Sequence, residues 1–71
     1  MPEVDIRLIG DLNASLYRVD SIKEMFLDIH AGHMVTAELL APFTDRGGNP
    51  QVKSYGIIYL NPRNIVTLRY D

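Results

Sequence analysis

The chain has 71 residues and no cysteine, so no disulfide or thiolate zinc site can staple it. A hydrophobic content of 46% is that of a folding chain, and a net charge of −2, spread along the sequence, offers no basic stripe of the kind nucleic-acid binders carry. No apolar run approaches the roughly 20 residues of a membrane span. The opening MPEVDIRLIG lacks the basic region and apolar core of a secretory signal, so the expected compartment is cytoplasmic. One domain over residues 1–71 is expected. A core this small supplies only about 3–5 kcal/mol, and self-association is a common remedy where staples are missing.

Val4-Asp5-Ile6-Arg7-Leu8 alternates apolar and polar, the pattern of a half-buried strand with Val4, Ile6 and Leu8 inward. Gly10-Asp11-Leu12-Asn13 ends it with turn-forming residues. Leu16-Tyr17-Arg18-Val19 reads as a short second strand.

Residues 20–40 admit two readings. Leu16, Val19, Ile22, Met25, Phe26 and Ile29 recur at helical spacing, with Asp20 or Ser21 as cap and Gly32 as stop. Read with period two, Met25, Leu27 and Ile29 line one face, answered across a turn at His30-Ala31-Gly32-His33 by Val35, Ala37 and Leu39. The hairpin is the preferred reading, because a strand at 34–40 needs a neighbour and sequential strands usually pair.

Pro42 cannot donate to a ladder, so that strand should end or reach an edge there. The stretch 44–54, TDRGGNPQVKS, reads as a surface loop. Residues 55–70, YGIIYLNPRNIVTLRY, carry the strongest strand signal in the chain. Asn61-Pro62-Arg63-Asn64 has the chemistry of a type I turn, which predicts a hairpin pairing Leu60 with Val66 and Ile58 with Leu68. Its other face would carry Ile57, Tyr59, Thr67 and Arg69. The expected fold is mainly β, a small antiparallel sheet or barrel-like fold of five or six strands built from hairpins. An α+β fold with one helix at about 20–31 is the alternative.

His30 and His33 are three apart, yet no thiol or obvious third ligand accompanies them, and zinc normally takes three or four protein ligands. No metal or other cofactor is expected. Gly47-Gly48-Asn49 lacks the surrounding pattern of a phosphate cradle. Acidic residues are scattered, and a fold this small encloses little space, so an enzyme is not expected. Tyr17, Tyr55, Tyr59 and Tyr70, interleaved with Arg18, Arg63 and Arg69, suit base stacking, and equally suit a protein interface, where tyrosine and arginine are enriched.

The segment 21–39, SIKEMFLDIHAGHMVTAEL, resembles one found in small proteins of tailed bacteriophages, with an alternating strand, a glycine turn and a Val-Thr-Ala-x-Leu strand. The resemblance implies a β-hairpin here, an accessory protein without an assigned activity and, for a phage-encoded chain, the host cytoplasm. It carries over no functional residues. The expected function is a small, non-enzymatic protein-binding module, self-associating, whose partner is itself or another protein such as a virion component or a host protein to be inhibited. The expected contact residues are Tyr59, Thr67, Arg69 and Tyr70, with Arg63 at the turn. The alternatives are a small-barrel binder of RNA or single-stranded DNA, and a structural subunit of an assembly.

Overall fold

A computed structural model describes residues 1–70. The elements run β1 (Glu3–Leu8), β2 (Ser15–Arg18), α1 (Ile22–Ala31), β3 (Val35–Thr44), β4 (Pro50–Leu60), a 3-10 turn (Pro62–Asn64) and β5 (Ile65–Tyr70). The five strands form one antiparallel sheet in the order β4-β3-β2-β1-β5, so the mainly β expectation holds. β1 buries Val4 and Ile6 and leaves Glu3 and Asp5 outside, as its alternation requires. A turn at Gly10, with φ of 91°, closes behind it through the Asp11 N–H donating to the Leu8 carbonyl.

Both expected hairpins need correction. Residues 22–31 are helical rather than a strand facing 35–39. Ser21 caps α1, its hydroxyl accepting from the Glu24 N–H at 3.2 Å. Gly32 ends it at φ of 76°, with its own N–H and that of His33 donating to the carbonyls of Ile29 and Asp28. Met25 is buried, and Ile22 and Ile29 pack beside it, which is the helical stripe and not the period-two face. β3 finds its neighbours elsewhere: Tyr17 of β2 pairs with Leu39, while Ile58 and Leu60 of β4 pair with Ala37 and Val35.

The second correction concerns 55–70. β4 and β5 lie at opposite edges of the sheet and do not pair. β5 pairs with β1 instead, Leu68 opposite Ile6 and Arg69 opposite Asp5. The turn chemistry at Asn61 is as expected, its side chain accepting from the Arg63 N–H at 3.0 Å, with Pro62 opening the 3-10 turn. Its role is different. Every paired strand in the order is antiparallel, so β4 and β5 run in the same sense relative to β1, and the turn is a corner rather than a reversal.

That corner forces the sheet to curl. In a flat sheet four spacings separate β4 from β5, about 19 Å. From Leu60 to Ile65 even an extended chain reaches only about 17 Å, and a 3-10 turn reaches less. The edges are therefore drawn together at this end, and the Asn64 carbonyl accepts from the Ile9 N–H at 2.8 Å to fix the corner. Curling puts Ile58, Leu60, Ile65 and Leu68 into one core with Val4, Ile6, Tyr17, Val19, Met25, Val35 and Ala37. Of the aliphatic residues paired in the expected hairpin, Ile58, Leu60 and Leu68 thus share one core across the curled sheet, while Val66 is exposed.

The stretch 44–54 is mostly strand, not loop. The turn occupies only 45–49, where the Asp45 Oδ1 accepts from the N–H groups of Gly47 and Asn49, each at 2.9 Å. The backbone Asn49 N–H lowers the Asp45 pKa, the largest of several causes, with the Gln51 side chain and Gly47 N–H helping. β2 faces β3 only over 38–40, so beyond Leu40 the β3–β4 ribbon stands alone. Pro42 lies on this part of β3, where one side is an edge and no donor is needed. The projecting arm explains a molecule of 44 × 26 × 22 Å. Its radius of gyration is 12.8 Å, against about 11 Å for a compact chain of this length.

Candidate association surface

β4 is an edge strand of eleven residues, and every residue from Pro50 to Ile57 is exposed. Val52, Tyr55, Ile57 and Tyr59 are among the large apolar side chains left in solvent, Tyr59 at 67%. Between 50 and 60 the sequence has no acid and a single base, Lys53, whose ammonium lies over the Tyr55 ring 5.2 Å from its centroid. Edges of this kind are normally blunted by charge, proline, bulges, covering or brevity, because their unpaired backbone groups template another strand. β4 is long and uncovered. Its one irregularity is a bulge, where Tyr55 and Gly56 together oppose Leu39 and Gly56 adopts φ of 92°.

A polar line crosses the sheet to this bulge. The Arg18 guanidinium on β2 donates to Glu3 of β1 at 3.3 Å and to Glu38 of β3 at 3.2 Å. The second Glu38 oxygen accepts from the Ser54 hydroxyl at 2.5 Å, and that hydroxyl oxygen accepts from the Gly56 N–H at 3.2 Å. With Arg18 a third exposed, such pairs add at most about 1 kcal/mol each. Their effect is positional: they anchor the bulge that divides β4 into an arm half and a body half.

The residues expected to form one contact face are dispersed. Tyr59 is on β4, Arg63 in the corner turn, and Thr67 and Arg69 on the opposite edge, β5. Arg69 stands opposite Asp5 in a shallow groove with Glu3 and Leu16. Tyr70 lines the same groove, and its ring meets the Phe26 ring on α1. Val52 and Tyr55 were not in the expected set; the signal available for them was the absence of acids over 50–60. Burial raises the Tyr17 pKa, with Asp11 adding to it, and this tyrosine belongs to the core rather than to any stacking face. His30 and His33 are exposed near the end of α1, and no cluster of three metal-ligating side chains occurs among the described residues. Nor, among these residues, is any helix long and apolar enough to cross a membrane.

Comparison with known proteins adds no assignment: no family model, no curated protein and no solved structure matches this chain. The hairpin implied by the phage resemblance over 21–39 is replaced by α1 and the start of β3.

Proposed function

We propose that this protein is a non-enzymatic association module that binds a second copy of itself through the β4 edge of its sheet. The observation that carries the reading is the length and apolar character of that open edge. A compact monomer of 8.0 kDa exposes about 4,450 Å², whereas this elongated chain exposes 5204 Å², leaving more surface open to a partner. Backbone hydrogen bonds along the edge supply affinity, and Val52, Tyr55, Ile57 and Tyr59 supply apolar burial.

The nucleic-acid alternative draws less support. Arg18 is held by two carboxylates, and Arg63 and Arg69 lie on other elements than Tyr55 and Tyr59, so these arginines and tyrosines do not share one strand face. Light scattering across a wide concentration range tests the reading. The expected result is an oligomer that persists at micromolar protein and that Ile57→Lys converts to monomer. A wild-type monomer at every concentration overturns it.

A further inference from the structure

Resting on that self-association, we propose that β4 pairs with β4 of the second copy, antiparallel about a two-fold axis near Tyr55, so that each arm lies on the other copy's body. Three features of the edge carry this arrangement.

The first is length. β4 presents eleven residues and β5 presents six, so a head-to-tail contact of β4 on the neighbour's β5 covers about half of β4 and leaves the arm bare. β4 against β4 matches length with length.

The second is the division of β4 at its bulge. On the arm side, 50–53 is backed by β3 alone, with no third strand. On the body side, 57–60 belongs to the five-stranded sheet and its core, Leu60 being buried. These halves are of similar length, and antiparallel pairing centred at the bulge brings the arm half of one copy against the body half of the other. Each arm thereby gains the neighbour it lacks. A pairing centred further into the arm would join two unsupported ribbons and leave Ile57 and Tyr59 in water.

The third is charge. Because the bulge shifts the faces of β4 by one residue, pairing about it places Lys53 opposite Ile58 of the other copy, not opposite the second Lys53. No like charges meet directly, and the Pro50 residues, which lack an N–H, fall at the outer ends of the paired edge. The result is an isologous contact, the same patch used by both copies, and one continuous ten-stranded sheet.

The absence of cysteine makes the test direct, because a single introduced thiol can cross-link only where a residue meets its own counterpart. Directly opposed residues have Cα atoms about 4.5–5.5 Å apart, within reach of a disulfide. Single variants from Val52→Cys to Ile57→Cys, leaving Gly56 untouched, are oxidised under mild conditions after circular dichroism has confirmed the native fold. The expected result is a covalent dimer forming at least about tenfold faster for Tyr55→Cys or Ser54→Cys than for Val52→Cys. The Val52→Cys/Tyr59→Cys double variant is expected to cross-link where neither single variant does. An oligomer that Ile57→Lys dissociates but that no single cysteine cross-links overturns the two-fold pairing and leaves self-association standing. A monomer at all concentrations overturns both.

Discussion

The ring of Phe26 on α1 meets the ring of Tyr70 on β5 edge to face, with centroids 5.7 Å apart and planes at 64°. This contact joins the helix to the strand at the far edge of the sheet, beyond the reach of the Met25 anchor. Edge-to-face aromatic pairs contribute about 0.5–1.5 kcal/mol beyond their area. A double-mutant cycle of Phe26→Ala and Tyr70→Ala, read by urea unfolding, should give a coupling energy in that range. Additive effects would mean that the two rings stabilise the fold independently.

Gly56 occupies the bulge at φ of 92°, and a Cβ there would meet no atom within 4 Å. The cost of Gly56→Ala is therefore conformational and not steric. About 1–2 kcal/mol of stability should be lost, seen as a lower urea midpoint at unchanged slope. Gly47, with a negative φ, should tolerate alanine better, although its Cβ would press on the Asn49 side chain at 3.1 Å. A Gly56→Ala protein as stable as wild type would show that the bulge relaxes.

The Asp45 carboxylate organises the arm's tip, and its pKa is lowered first by the Asn49 N–H. A group with a depressed folded-state pKa stabilises the fold above its unfolded value, 3.8 here, and that contribution is lost as pH falls through the folded value. Neutral pH thus keeps the turn intact, and acid loosens it. The amide resonances of Gly47 and Asn49 should titrate together with a midpoint below 3.8. A midpoint at or above that value would remove the carboxylate from its role as acceptor.

Local signals were legible in the sequence, and pairing partners were not. The alternation of Val4, Ile6 and Leu8, the Ser21 cap, the Gly32 stop and the Asn61-Pro62 turn are each formed by the residues that announced them. What misled was reading 25–30 as a strand and 61–64 as a reversal; consecutive strands do pair from β1 to β4, and only β4 and β5 do not. Residues 22–31 carried both a helical and an alternating pattern, and the need of β3 for a neighbour tipped the balance to a hairpin. β3 is flanked by β2, across the helix, and by β4, so that need was met without one. Likewise, turn residues mark where a chain bends but not whether it reverses or rounds a corner. The five residues expected to share a contact face were placed by the pairing of 55–60 with 65–70, and they separate once that pairing is replaced.

The place of β1 between β2 and β5 has a consequence for how the chain acquires its shape. Val4 pairs with Tyr17 on one side and with Tyr70 on the other, so the first strand of this sheet in sequence needs the last. Until then it can form only one of its two ladders, and the second must wait for the loop from Leu8 to Ile65 to close. The β3–β4 ribbon needs no such wait, since its strands are adjacent in sequence. Local pairing therefore favours the β1–β2 and β3–β4 hairpins first and the β1–β5 ladder last, with one edge of β1 transiently unpaired.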